Sequence, residues 1–560
     1  MAEVPPAAAA SGEYVFKPHE RPFMPGSPAS PDHPVLRKVG YFLIGVYLAI
    51  IGGFTNGLLI ANLTGLQGHM DLTPAEGGWV TVAYNMTNAC MSILLYKSRQ
   101  QFGIQRFVRV IIIALVVANF LQLFDAGYRM ELIARGVAGI AASGLTTLAA
   151  FYLMQGLPAE KRIAGFLLAI GLTQVGTPFA RAISPLLVFD GDLNHLFQFQ
   201  FALSLVAVGL VNILQVPPGE TIKSFEKLDL LTFPMLAGGV GLLCAFLVQG
   251  RIQWWTTPWL GAALAASVVL IGAAFLIEHN RKNPMLQTRW MGSAALVQFA
   301  LTGALVRVLT SEQNFGASGL LSAIGLVNDQ LVSYYWVLTG ATFAGAILAI
   351  LRLDPMDLRR PVLVSLAVIT IGAFLDTHSG LRTGPVNLYF SQAAIAFAAV
   401  YFMGPMMMEG LLRALTKGPS YLVSFVGVFS LSQTLGGLIG VAGLSAFHTL
   451  RAKSHLMTLG QSVSTNDPAV AQGIASLANA LTGDMTDPAL RSAVAGSQVV
   501  REAAREAAIL AFNDVFFVIG ALSALAFALL FARWAYDRRR GHNPLAKELA
   551  ALQKMRAQNQ

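Results

Sequence analysis

Arg135 stands in the run Leu132-Ile133-Ala134-Arg135-Gly136-Val137-Ala138-Gly139-Ile140-Ala141-Ala142, a guanidinium set in an otherwise apolar segment. A charge buried in hydrocarbon is costly, and where one persists it marks a substrate path, an ion path or a coupling site. The small residues around it let neighbouring helices approach, which favours a side chain turned into a bundle. The competing reading is a guanidinium that snorkels to headgroups about one turn away. Arg181 and Arg307 lie nearer the ends of their apolar segments, where snorkelling is easier. Asp514 follows Asn513 where the last apolar segment opens; a carboxylate there caps the helix, pairs with an arginine or carries a proton. Arg135, Asp514, Arg181 and Arg307 are therefore the candidates for proton coupling or for a charged cavity wall. Asp125, Glu131, Glu312, Asp329 and Asp376 also fall near segment ends, and solvated loop edge is the expectation for each.

Neutral amides are more numerous inside the apolar segments: Asn56, Asn62, Asn85, Asn88, Gln174, Gln198, Gln392 and Gln433. Of these, Asn56, Asn85, Gln174, Gln392 and Gln433 are substrate-path candidates, while helix-to-helix hydrogen bonding is the alternative for each. Gln433, Gly437 and Gly440 share one helix face, and Gly436 with Gly440 forms GxxxG, so that face packs closely against a neighbour. Other chemistry is missing. There is no GxxxxGK[ST] phosphate loop, no HExxH and no CxxC, and Cys90 and Cys244 both sit in apolar stretches. No metal, cofactor or catalytic site is expected, the chain does not read as an enzyme, and any work it does draws on a gradient.

These residues must be positioned by membrane helices. The chain has 560 residues, 55% apolar and 12% charged, against about 25% charged in soluble domains. Spans need roughly 20 apolar residues each, and about fourteen fit: 39–62, 78–96, 107–125, 131–155, 163–187, 196–216, 230–249, 258–277, 293–311, 331–351, 361–376, 386–408, 421–448 and 509–534. All seven tryptophans fall near span ends, where an amphipathic ring prefers the headgroup layer. The net charge of +9 is a topology signal. Lys97, Arg99, Arg106, Lys161, Arg162, Lys223, Lys227, Arg281, Lys282, Arg289, Arg352, Arg359, Arg360, Arg413 and Lys417 occupy one set of alternate loops, and the short loops of the other set hold Arg129, Arg251 and Arg382. That asymmetry predicts the first set, and both termini, in the cytoplasm. The one long connection, 451–508, falls on the other side and reads as amphipathic helices that extend the flanking spans.

Several segments resemble the fourteen-span drug:proton antiporter branch of the major facilitator superfamily, the EmrB/QacA type. Gly78-Trp79-Val80-Thr81 with Ala83-Tyr84 is similar to that family's second-span opening, and the Arg135 run to its fourth-span motif, whose arginine is associated with proton coupling. Leu435-Gly436-Gly437-Leu438-Ile439-Gly440 resembles its thirteenth-span glycine stretch, and Asn513-Asp514-Val515-Phe516 its fourteenth-span opening. The loop after span two reads Lys97-Ser98-Arg99-Gln100-Gln101-Phe102-Gly103 and lacks the family's Asp; span one offers Thr55-Asn56 in place of a mid-span Asp. The span-five motif is echoed by Gly171, Gly176 and Pro178, followed by Phe179-Ala180-Arg181.

The resemblance implies an all-α integral membrane protein of two six-helix bundles, the major facilitator fold, plus two inserted helices. The divisions are a disordered cytoplasmic tail over 1–37, an N-terminal bundle over 38–216 and the inserted pair over 217–291. A C-terminal bundle follows over 292–534, including the periplasmic loop 451–508, then a basic tail over 535–560. It further implies proton-driven efflux of amphipathic or toxic small molecules across the cell inner membrane, with a periplasmic adaptor and an outer-membrane channel as partners. Two alternatives stand beside this: a transporter of an anionic solute such as an organic acid or siderophore, suggested by the three arginines, and a non-transporting scaffold or sensor.

Overall fold

The computed structural model describes residues 20, 22, 26–124, 127–158, 161–188, 191–462, 467–483 and 485–541, with positions 545, 546, 548 and 550. Asp125 and most of 1–25 and 542–560 lie outside the described residues.

Thirteen helices among the described residues are long and apolar enough to cross a membrane. Pro74–Phe102, with 29 residues, is as long but more polar, and makes the fourteenth. In chain order they are α1 Val35–Ala61, α2 Pro74–Phe102, α3 Ile104–Leu121, α4 Tyr128–Gly156, α5 Arg162–Leu187, α6 Asn194–Ile213 and α7 Asp229–Gln253. The remainder are α8 Pro258–His279, α9 Ala294–Glu312, α10 Val332–Leu351, α11 Arg359–Leu375, α12 Pro385–Leu415, α13 Pro419–Ser462 and α14 Pro488–Arg539. No strand occurs among the described residues. Local chemistry sets several starts. The Thr73 hydroxyl accepts from the Glu76 N–H, the Glu76 carboxylate accepts from the Thr73 N–H at 2.8 Å, and Pro74 follows at the first helical position, so orphan donors of α2 are satisfied reciprocally.

The helices pack as two bundles. α1 lies on α4 and α5, and α4 also on α2 and α3; in the other half α9 lies on α13, α10 on α12, and α14 on α11 and α13. The bundles meet along α5 with α10 and along α2 with α13. The inserted pair enters through α7, which packs on α2 and α13 and carries α8 on its far side. Close crossings need small residues: a Cβ on Gly176 would strike the backbone of Ile50 and Phe54 across the α1–α5 contact. A Cβ on Gly436 would sit 2.9 Å from the Ala304 carbonyl oxygen, where α13 crosses α9.

At the basic end of the molecule, part of the segment expected as a tail is packed. The Gly26 N–H donates to the Glu220 carbonyl at 3.1 Å and the Ala29 N–H to the Pro218 carbonyl at 2.8 Å. The Gln155 side chain donates to the Ala29 carbonyl at 2.6 Å. Beneath this strap, Lys97 of α2, Asp229 of α7 and Arg281 after α8 form a buried charge cluster with Glu278.

At the opposite end, α13 and α14 run on beyond the bundle. They contain 44 and 52 residues, or about 66 and about 78 Å at 1.5 Å per residue, against a hydrocarbon layer of roughly 30 Å. The connection 451–508 is thus largely continued helix, with Pro468–Ala480 packed against α14.

Candidate functional site

Between the bundles lies a cavity of about 510 Å³, within the range of small-molecule sites. Its walls combine aromatic and thioether surface from Phe151, Phe166, Met403, Met407, Phe425 and Phe429 with the amides of Asn56, Asn85, Gln174 and Gln433. Both polar atoms of the Gln433 amide are buried without a protein partner, which leaves donor and acceptor available to a solute.

Four arginines line this cavity: Arg99, Arg181, Arg251 and Arg307. No aspartate, glutamate, lysine or histidine lines it among the described residues. Arg99, at the end of α2, lies 4.5 Å over the Tyr96 ring and 4.7 Å over the Phe151 ring, so its charge is held by π faces. Arg181 on α5 donates to the Ser318 hydroxyl and to the Tyr335 hydroxyl, each at 2.9 Å, and so joins the two bundles. Arg307 on α9 reaches the cavity beside Gly437 of α13; a Cβ there would sit 3.5 Å from its Nε. Among the described residues none of the four forms an ion pair.

Arg135 is buried one layer behind the wall. Its guanidinium hydrogen-bonds the Asn56 side chain, which does line the cavity, and lies 4.6 Å over the Tyr84 ring. Its side chain is 2% exposed and does not snorkel. The Tyr84 carbonyl and the Thr87 hydroxyl of α2 press on Gly139, leaving no room for a Cβ, so α4 seats Arg135 directly against α2. Gln392 lies outside the cavity, inside the C-terminal bundle. Asp514 also stands apart, paired with Arg451 at 2.6 Å and His455 at 2.7 Å where α13 and α14 leave the bundle. Gly436 and Gly440 pack on α9, while Gly437 faces the cavity.

Three carboxylates expected at solvated loop edges are buried instead. Glu131 accepts from the Gln122 amide at 2.9 Å and is 6% exposed. Glu312 and Asp376 are 0% and 3% exposed, and the Gln392 amide donates to both, at 2.9 and 2.7 Å. The reason is helix length. The span of α9 continues past Glu312 as a π-helical turn, Gln313–Ala317, and a further helical turn to Ala323, so Glu312 falls inside the fold. Asp376 is drawn in by a short 3-10 turn, Asp376–His378, packed on α14. Asp329 is exposed, as expected. Arg99 and Arg251, read from the sequence as loop charges, were the missed members of the cavity; the aromatic Tyr96 one turn before Arg99 was the available signal for the first.

No family model matches the chain. Among curated proteins it is 18% identical over 418 residues to the colistin resistance protein EmrB of Acinetobacter baumannii, covering 72% of this chain and 79% of that one. It is 21% identical over 377 residues to the multidrug transporter mfsC of Aspergillus fumigatus, covering 65% and 70%. The fold is shared with PepTSo2, at a TM-score of 0.53 and 13% identity over 90% of this chain and 99% of that one. It is shared also with a double-tryptophan mutant of XylE, at 0.52 and 12% over 88% and 95%. With two bundles, an inserted pair and a central cavity, the chain is a multi-pass membrane protein with the fold of solved secondary transporters, and it is similar in sequence to drug-efflux transporters of the major facilitator type.

Proposed function

We propose that this protein exports amphipathic small molecules carrying negative charge, driven by proton influx. One observation carries the charge preference: a cavity with apolar walls, four arginines and no carboxylate among its described lining residues. Cations set in a cavity wall without protein counter-ions favour an anionic solute, since an uncompensated charge in a low-dielectric site is costly. A cation would be repelled there by all four guanidinium groups. Export is supported by two of the relatives, a colistin resistance protein and a multidrug transporter.

The same proposal puts the lysine- and arginine-rich loops and both termini in the cytoplasm of an inner membrane, supported by the loop asymmetry. The helical projection of α13 and α14 then stands in the periplasm, long enough to meet an adaptor protein that relays solute to an outer-membrane channel. Replacing 462–501 by a Gly/Ser linker should lower resistance of intact cells while leaving transport in inverted vesicles unchanged. Equal losses in both assays would remove the adaptor from the proposal.

The deciding experiment for substrate charge uses proteoliposomes and three fluorescent probes matched in size and apolarity: a sulfonate, a neutral analogue and a quaternary amine. The sulfonate should accumulate under an imposed proton gradient, and a protonophore should abolish accumulation. Preference for the quaternary amine would overturn the anionic reading.

A further inference from the structure

Two carboxylates lie buried in the C-terminal bundle with no counter-ion among the described residues. Glu312 ends α9, Asp376 follows α11, and Gln392 of α12 stands between them. Among the described residues neither acid forms an ion pair. Both N–H bonds of the Gln392 amide are spent, one on each acid. Two buried acceptor atoms remain without a donor: Glu312 Oε2 and Gln392 Oε1. Both residues are 0% exposed.

We propose that Glu312 and Asp376, bridged by Gln392, form the proton-binding site that couples this transporter to the gradient. The assignment rests on the proton-driven reading above and adds the place where the proton is held. A carboxylic acid and a primary amide pair through two hydrogen bonds: the amide N–H donates to the acid's carbonyl oxygen, and the acid's O–H donates to the amide oxygen. The first of these is present between Gln392 and Glu312. One proton on Glu312 Oε2 supplies the missing donor, and the step is simple protonation of a carboxylate. Without it, two negative charges and two unpaired acceptors share a buried site, which is the costlier state. A metal ion fits less well, because it needs a shell of free oxygens and Gln392 already occupies one oxygen of each acid.

The groups facing the pair from neighbouring elements supply no compensating cation. Tyr334 of α10 lies within electrostatic range of both acids, and its buried hydroxyl has no partner. Tyr335 is engaged by Arg181. His448 of α13 packs on Phe315 and Phe512, and Asp514 of α14 is paired with Arg451 and His455.

A hydrogen-bond chain runs from the site to the cavity. Arg181 donates to the Ser318 hydroxyl at 2.9 Å, and Ser318 donates to the Gln313 carbonyl at 3.1 Å. The Gln313 side chain donates to the Gln392 backbone carbonyl at 3.2 Å. The π-helical turn that holds Gln313 follows Glu312 directly, and such turns are irregularities found often at functional sites. Arg181 belongs to one bundle and the rest of the chain to the other. Rocking of the bundles must break the Arg181 contacts, release the π-helical turn and change access to Glu312.

The test uses the full chain in lipid, with Glu312→Gln, Asp376→Asn and the double variant, each checked for monodispersity. Infrared difference spectra between acid and alkaline buffer need no substrate. Wild type should show the carbonyl band of a buried carboxylic acid, and Glu312→Gln should lack the component that Glu312 contributes. In proteoliposomes loaded with the fluorescent sulfonate, Glu312→Gln should lose pH-gradient-driven accumulation by about tenfold or more relative to probe exchange. A band of undiminished intensity in the double variant, or undiminished gradient-driven accumulation by it, overturns the site. Accumulation driven by a sodium gradient and lost in Glu312→Gln overturns the proton in favour of sodium. If wild type carries no sulfonate yet shows the band and Glu312→Gln lacks that component, the site stands and the substrate reading falls.

Discussion

Lys97 Nζ lies 2.7 Å from Asp229 Oδ2, with the two side chains only 7% and 1% exposed. Lys97 belongs to α2 in the N-terminal bundle and Asp229 opens α7 of the inserted pair. Arg281 approaches the other oxygen of Asp229 at 2.8 Å and also binds Glu226 and Glu278, and these carboxylates hold its guanidinium more firmly protonated than usual. The loop after α2 lacks the acidic residue of the related family motif, and Asp229 supplies an acid to Lys97 from 132 residues away.

Breaking this pair should destabilise the protein. Asp229→Asn leaves Lys97 buried against a neutral amide, and removing one member of a buried pair costs about 3–5 kcal/mol. Thermal unfolding in detergent should show a clearly lowered midpoint, partly restored by adding Lys97→Met. An unchanged midpoint in the single variant would mean the cluster is held by Arg281 alone.

Arg135 makes a different kind of contact, in which one guanidinium serves Asn56 and the Tyr84 face together. Arg135→Ala should insert normally and lose most transport, because Asn56 then has no fixed orientation in the cavity wall. Arg135→Lys should rescue poorly, since an ammonium on a flexible stem lacks the planar fork that hydrogen-bonds and stacks at once. Wild-type rates from the lysine variant would reduce the site to a charge requirement.

Arg307 has no side-chain hydrogen bond among the described residues, so its charge is free for a solute. Arg307→Gln should leave the melting midpoint nearly unchanged and raise the KM for the sulfonate probe about tenfold, as expected for a lost charged hydrogen bond of roughly 1.5 kcal/mol. The neutral probe should be unaffected. Equal effects on both probes would indicate a change of cavity shape instead of charge.

The spans were legible because hydrocarbon imposes one rule on every residue of a segment. The depth of individual charges was harder to read. Glu312 reads as a loop edge because it falls just past the span expected over 293–311, yet the helix continues through a π-helical turn in which Gln313 bonds Gln392, followed by Ser318, which accepts from Arg181. Arg99 reads as a loop charge because the second span is expected to end at residue 96, but the helix continues to Phe102 and holds the Arg99 side chain against the Tyr96 and Phe151 rings. Arg135 was recognisable since small residues on both sides predict close helix contact. Its partner was not, because the pairing of α4 with α1 is tertiary.

The strap over the basic end should respond to pH. The His33 Nε2–H donates to the Gln155 amide oxygen at 2.9 Å, and the ring packs on the Tyr41 ring at 4.7 Å. Burial lowers its pKa, with Arg37, Lys38 and Arg162 adding repulsion and the Gln155 hydrogen bond opposing them. The undocked strap therefore binds a proton more readily than the docked one, so docking gains stability as pH rises. The sign places full docking above the ordinary imidazole value of about 6.5, with progressive loss as pH falls below it. Hydrogen exchange of residues 26–34, corrected for intrinsic rates, should be slower at about pH 8 than at about pH 5.5, either side of that value. His33→Phe should remove the difference while keeping the ring contact with Tyr41. Equal protection of the wild-type strap at both pH values would show that Gln155 and Arg162, which bond the Ala29 and Ser30 carbonyls, hold it without help from His33.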